Sequence, residues 1–217
     1  MSTRILIADD HQMLREGLRA ILEKDEEIEV IGEASDGRTA VAMARTLRPD
    51  VVAMDISMPD LNGVEATRQI KAENPAVKVV ALSRHSDRRY VLRVLEAGAS
   101  GYVLKSGAYD ELRRAVQAVR SGHSYLSPRI TGLVLEAHLR PGSQPESASA
   151  STLGPRELEI VQLLAEGHTS PQIARKLHIS TRTVESHRRN IMKKLDVHSL
   201  AEITKYAVRE GLTSVED

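Results

Sequence analysis

The stretch RILIADDH, residues 4–11, decides the fold. Its run from Ile5 to Ala8 is apolar without alternation, the pattern of a strand buried on both faces, and it ends in two adjacent carboxylates, Asp9 and Asp10. Four further short runs repeat the pattern: IEVIGEA (28–34), VVAMD (51–55), VKVVALS (77–83) and SGYVLK (100–105). Between them lie segments such as QMLREGLRAILEK (12–24) and RRYVLRVLEAGA (88–99), with apolar residues at helical spacing. Parallel strands need helical crossovers, so five strand-helix units predict a doubly wound α/β fold on a five-stranded parallel sheet. In such sheets function collects at the carboxyl ends of the strands.

The rest of the chain sets the frame. With 217 residues, 41% of them hydrophobic, two ordinary domains with packed cores are expected. Net charge is zero, so any attraction to nucleic acid must come from local clustering. There is no cysteine, which excludes disulfides, thiolate catalysis and cysteine-ligated zinc. No basic segment followed by an apolar run opens the chain, and no stretch of about 18 apolar residues occurs, so a soluble cytoplasmic protein with no membrane partner is expected. Residues 1–122 form the α/β unit. Residues 123–152 read as a linker, with a helix at 128–139 and a flexible Pro/Gly/Ser-rich tether over Arg140 to Ser151. From 153 to 217 only helix punctuation appears: Pro155 in a first turn, Ser170 as a cap before Pro171, a capping box of Ser199 and Glu202, and Gly167 and Gly211 at helix ends.

Side by side, the strands bring Asp9 and Asp10, Asp55, Ser83 and Lys105 to one edge. Three carboxylates there oppose each other's ionisation unless a cation joins them, and hard oxygen donors without thiolates favour Mg²⁺. A carboxylate beside a cation, a lysine and a hydroxyl suits phosphoryl transfer, with Asp55 as nucleophile and Lys105 and Ser83 on the phosphoryl oxygens. Each residue alone has an ordinary explanation: a helix cap for Asp9 and Asp10, a surface charge for Lys105, a strand-end cap for Ser83, a half-buried aromatic for Tyr102. Their joint order along the chain argues otherwise.

ADDH, MDISMPDLNGVEA, VVALSRH and GASGYVLKS together resemble the receiver domain of a two-component response regulator, over roughly residues 3–121. The resemblance implies a flavodoxin-like receiver in which Asp55 takes a phosphoryl group from a phosphohistidine on a sensor histidine kinase. It implies that Asp10, Asp55 and the Ser57 backbone carbonyl hold Mg²⁺, with Asp9 acting through water. It further implies that Ser83 and Tyr102 reorient together after phosphorylation.

In the last segment, SPQIARKLHISTRTVESHRRNIMKKL contains two helical patterns around a short turn at His178 and Ile179, the form of a helix-turn-helix. On a wheel, Val184, Ile191 and Leu195 fall together while Arg182, Ser186, Arg189 and Lys193 project opposite, flanked by Arg188 and Lys194. Such a basic face is either simply solvated or a major-groove reader. Residues 153–207 resemble a LuxR-type DNA-binding domain, so the whole chain resembles a NarL/FixJ-type response regulator with a small all-α helix-turn-helix domain after the receiver. By that resemblance Ser186, Arg189, Asn190 and Lys193 join Arg182 as candidates for contact with double-stranded DNA, and the helix from Leu200 to Arg209 is a dimer surface or plain core. Two residues depart from the pattern: Gly154 stands where a capping Thr is common, and Glu185 where some relatives are basic. Facing DNA, Glu185 would repel phosphate or accept from a cytosine amino group. The histidines at 11, 85, 168, 178, 187 and 198 lack metal-ligand spacing and read as surface or packing residues, with His187 a candidate DNA contact.

The expectation is a regulator, not an enzyme beyond its own phosphoryl transfer and dephosphorylation: Asp55 phosphorylation controls homodimerisation and sequence-specific DNA binding, and so transcription. Two alternatives compete. A phosphohydrolase would place a second acid two residues after its nucleophile, where this chain has Ser57. A regulator driven by a ligand or partner would not need the acidic site.

Overall fold

The computed structural model describes residues 2–139 and 153–213. The chain divides into two compact units, Met1–Pro141 and Gly142–Asp217. The tether expected over Arg140 to Ser151 lies outside the described residues.

In the first unit strands and helices alternate: β1 (Thr3–Ala8), α1 (Gln12–Leu22), β2 (Ile28–Ala34), α2 (Gly37–Leu47), β3 (Val51–Asp55), α3 (Gly63–Glu73), β4 (Lys78–Ser83), α4 (Arg88–Glu96), β5 (Gly101–Leu104), α5 (Ala108–Arg120), β6 (Tyr125–Leu126) and α6 (Pro128–Leu139). The sheet order is β2-β1-β3-β4-β5-β6 and every pair is parallel. The five expected strands and their helices are present, and a sixth strand of two residues extends the β5 edge.

Burial on both faces explains the continuous apolar runs. Ile5, Ile7, Val51, Ala53 and Val103 pack with α1 and α5 residues such as Leu18 and Leu112, whereas Leu6, Ala8, Val52 and Met54 pack with α2 and α3 residues such as Val41 and Ile70. Chain order reverses between β2 and β3, on either side of β1, which opens a crevice beyond the carboxyl ends of β1 and β3. Ala8 pairs with Met54, so the next residues, Asp9 and Asp55, leave the sheet side by side.

The turn after Asp55 depends on Gly63. Its amide donates to the Ile56 carbonyl at 2.9 Å, and a Cβ there would lie 1.9 Å from the Asp55 carbonyl oxygen. Only glycine lets α3 start this close to β3. Asn62 caps the helix by accepting from the Glu65 amide at 3.0 Å.

Among the described residues the second unit has four helices: α7 (Pro155–Ala165), α8 (Ser170–Lys176), α9 (Thr181–Leu195) and α10 (Leu200–Arg209). Buried Ile160, Val161, Leu163 and Leu164 place α7 at the centre, packed with Ile173 of α8, Val184 and Ile191 of α9, and Ile203 and Ala207 of α10. Gly154 precedes α7, and the Glu157 side chain reaches back to its amide at 2.8 Å. The Ser199–Glu202 capping box forms as expected, and Gly167 and Gly211 take positive φ at helix ends. The cap of α8 is Thr169 rather than Ser170: Gln172 accepts from the Thr169 amide at 2.8 Å, Ser170 is the first helical residue, and Pro171 follows where a missing N–H costs nothing.

Candidate functional site

Alternation along the strands sets the site. Asp9, Asp55 and Lys105 continue the sets of Ile7, Ala53 and Val103, all facing α1 and α5, so their side chains emerge on one face of the sheet at its carboxyl edge. Lys105 Nζ lies 2.7 Å from Asp9 Oδ2 and 2.7 Å from Asp55 Oδ2. Both carboxylates are buried, at 0% and 1% exposure, while Asp10 is partly exposed. Asp9 also accepts from the His11 amide at 2.9 Å, and Asp55 from the Ser57 amide at 3.2 Å.

Electrostatics leave this group short of positive charge. Burial, and secondly the neighbouring Asp9, push the Asp55 carboxyl up to about 6, although Lys105 and the Ser57 amide oppose the rise. One lysine does not neutralise the carboxylates around it. Ligand atoms of Asp9, Asp10, His11 and Asp55 all lie within 4.8 Å of one another. Hard oxygen donors in excess negative charge fit a divalent cation.

His11, read from the sequence as a surface or packing residue, belongs to this cluster. Its Nδ1 is 2.7 Å from Asp10 Oδ1 and its Nε2 is 3.2 Å from a terminal nitrogen of Arg84. His11 follows Asp9 and Asp10 directly in the chain, and strand topology adds only Asp55 to the group, so a search for spaced histidine ligands passes over it. Nothing in the sequence pattern points to Arg84 either. With Met13, Leu14, Lys105, Ser106 and Tyr109, these two line a cavity of about 550 Å³ beside the acids, in which Met13 is 86% and Tyr109 47% exposed.

Ser83 is placed differently from the acids. It shares the alternate set of Ala81, on the opposite face of the sheet, and its hydroxyl accepts from the His85 amide at 3.0 Å and hydrogen-bonds Tyr102. Tyr102 is fully buried; its hydroxyl donates to the His85 carbonyl at 2.7 Å, and burial pushes that hydroxyl up to about 12. Asp9, Asp10, Asp55 and Lys105 therefore form one group. Ser83 and Tyr102 form a second, at the start of the loop into α4.

On α9, Val184 and Ile191 are fully buried and Arg182, Arg189, Asn190 and Lys193 are exposed, with Ser186 intermediate between them. Ser180 caps the helix by accepting from the Thr183 amide at 3.0 Å. The Ser186 hydroxyl donates to the Arg182 carbonyl at 3.0 Å, and Arg189 reaches Ser186 at 3.4 Å. Two flanking residues are engaged within the unit. Lys194 pairs with Glu157 at 2.7 Å, tying α9 to the start of α7, and Glu185 accepts from the Ser170 hydroxyl of α8. No local sequence signal announces either partner. On α10, Ile203 and Ala207 are core, while Leu200 is 42% exposed.

Comparison with known proteins agrees with this geometry. Residues 5–117 match the response regulator receiver domain family, and residues 151–207 match the luxR family of bacterial regulatory proteins. The transcriptional regulatory protein LiaR of Bacillus subtilis is 41% identical, over 97% of this chain and 99% of its own. The response regulator UvrY of Escherichia coli is 39% identical, over 98% and 96%. Among solved structures, a LuxR-family two-component response regulator from Aurantimonas sp. SI85-9A1 superimposes with a TM-score of 0.62 at 36% identity, covering 64% of this chain and all of the other. The response regulator RcsB, solved in complex with DNA, superimposes with a TM-score of 0.59 at 28% identity, covering 95% of this chain and 98% of the other. The chain belongs to this family: it is a two-component response regulator in which a receiver domain precedes a LuxR-type DNA-binding domain.

Proposed function

We propose that Asp55 accepts a phosphoryl group from the phosphohistidine of a sensor histidine kinase and that this modification controls homodimerisation and sequence-specific binding of double-stranded DNA. The observation that carries the reading is the buried Asp55 carboxyl, pushed up to about 6 and held 2.7 Å from Lys105 among further acids. An Asp55 oxygen attacks phosphorus, the phosphorus–nitrogen bond to the donor imidazole breaks, and the imidazole keeps the electron pair and takes a proton. Lys105 stabilises the phosphoryl oxygens, and the Ser83 hydroxyl leaves the His85 amide to donate to one of them. Asp10, Asp55 and the Ser57 carbonyl would hold Mg²⁺, with Asp9 acting through water; bound there, the ion supplies neutralisation of charge on the phosphoryl group. Release of Tyr102 from its present partners follows the movement of Ser83. Loss of the group by hydrolysis at the same site returns the protein to its starting state.

The stripe of exposed Arg182, Arg189, Asn190 and Lys193, with half-buried Ser186 among them, reads DNA from the major groove, arginine suiting guanine edges and lysine suiting phosphates. That the RcsB relative was solved on DNA supports this assignment. Two such domains joined in a dimer gain avidity on paired half-sites, which gives a modest change in association a large effect on occupancy. No helix among the described residues is long and apolar enough to cross a membrane, in keeping with a cytoplasmic regulator.

Selection of bound sequences from random DNA, with phosphorylated and unphosphorylated protein side by side, tests both domains. The phosphorylated protein should enrich a paired half-site motif strongly and the unphosphorylated protein weakly. Equal enrichment by both would refute control by Asp55, and no enrichment by either would refute sequence-specific binding.

A further inference from the structure

The segment after α5 is built into the receiver over its switch residues. Tyr125 and Leu126 pair with Gly101 and Tyr102, and the Ser127 amide donates to the Tyr102 carbonyl at 2.9 Å. Ser127 is 1% exposed and stands where the N-cap of α6 belongs. Its hydroxyl is hydrogen-bonded elsewhere, accepting from the Leu104 amide at 3.0 Å and donating to Glu111 of α5, so it ties the start of α6 to β5 and α5. The Ile130 and Thr131 amides then donate to the Ser127 carbonyl at 2.8 and 3.0 Å.

From this anchor α6 lies against α4. Ile130, fully buried, belongs to one cluster with Tyr102, with Val91, Val94 and Ala97 of the α4 segment, and with Ile56, the residue after the phosphoacceptor. Leu133 and Val134 pack on the rim of that cluster. Tyr102 thus belongs to two systems: its hydroxyl is bonded to Ser83 and the His85 carbonyl, while its carbonyl accepts from the Ser127 amide and its side chain shares one buried cluster with Ile130 of the linker helix.

We propose that α6 is the receiver's output lever, with Ile130 and Ser127 coupling the position of Tyr102 to the segment that leads to the DNA-binding domain. A core this closely packed does not absorb a moved tyrosine ring without displacing a neighbour. Of the elements around Tyr102, the one held by the shortest strand is α6, behind the two residues of β6. Loading Asp55 draws Ser83 away and frees the Tyr102 hydroxyl, and the shifted ring loosens α6 from α4. The coupling is reciprocal: whatever loosens α6 favours the loaded state by the same factor. This inference rests on the reading of Asp55 given above.

The test uses the full chain with Mg²⁺ and beryllofluoride, whose occupancy at Asp55 is read directly by fluorine NMR. In the loaded protein, hydrogen exchange at the Ser127, Ile130 and Thr131 amides should rise by roughly tenfold, an ordinary coupling strength. Ile130→Ala should exchange faster at these amides before loading and bind beryllofluoride more tightly by a similar factor. Ile130→Val, which keeps most of the packing, should shift both quantities the same way by less. Loading without faster exchange over 125–134, or Ile130 variants with unchanged beryllofluoride affinity, would overturn the lever alone. Absence of loading would overturn the Asp55 reading, and the lever with it.

Discussion

Replacing Asp55 by asparagine should make the Mg²⁺-free protein more stable at neutral pH, because the native fold holds that carboxylate against its preference. The side chain is 1% exposed and its carboxyl is raised from an ordinary 3.8 to about 6, with burial first and Asp9 second as the causes. The sign follows from linkage. Between those two values the folded state binds more protons at Asp55 than the unfolded state, so this group's contribution falls as pH rises through the window and stays unfavourable above it. At about 1.4 kcal/mol per tenfold change, the penalty approaches roughly 3 kcal/mol at pH 7, and roughly 1 kcal/mol of it arrives between pH 5 and 7. A carboxamide in its place does not titrate and escapes that penalty. Urea unfolding of both proteins at pH 5, 6 and 7 without Mg²⁺ should therefore show the stability difference in favour of Asp55→Asn widening with pH. Added Mg²⁺ should narrow it by stabilising the wild type through binding. A difference independent of pH, or a wild type more stable than the variant throughout, would refute the electrostatic reasoning.

Lys105→Met removes the cation between Asp9 and Asp55 and should cost about 3–5 kcal/mol at pH 7, the usual result of orphaning a buried charge, with partial recovery at pH 5 in the same unfolding assay. Arg189→Ala should weaken DNA binding and relax preference at one base pair by about 1–3 kcal/mol, read by competition among single-base variants of the selected site. Glu185→Lys replaces an acid with a base on α9, the proposed reader of DNA, and should steepen the dependence of log affinity on log salt by about one while leaving the preferred sequence unchanged. A flatter slope would show that the bond to Ser170 matters more to α9 than the charge does.

Most of the architecture was legible because burial leaves periodic marks. VVAMD and RILIA, apolar on both alternations, could only be central strands of a covered parallel sheet. The acids at the strand ends followed from topology. The two residues of β6 escaped notice because period two needs more than two residues to be seen, and GHSYLSPR has the composition of a loop. Thr169 and Ser170 are equivalent as caps by composition, and only the reach of Gln172 back to the Thr169 amide separates them. Lys194 and Glu185 belong to a basic helix by sequence, yet their partners Glu157 and Ser170 lie on α7 and α8. Tertiary partners of that kind have no local signature. His11 follows Asp10 directly in the chain, but its contact with Arg84 arises only where the ends of β1 and β4 come together.

Intact-mass analysis of the full chain after incubation with acetyl phosphate tests the central claim most directly, with Asp55→Asn and a chelator as the two controls. The wild type with Mg²⁺ should gain one phosphoryl group, mapped to Asp55, and neither control should gain it. A phosphoryl group on another residue, equal labelling of Asp55→Asn, or a wild type that stays unmodified with Mg²⁺ present would contradict the account.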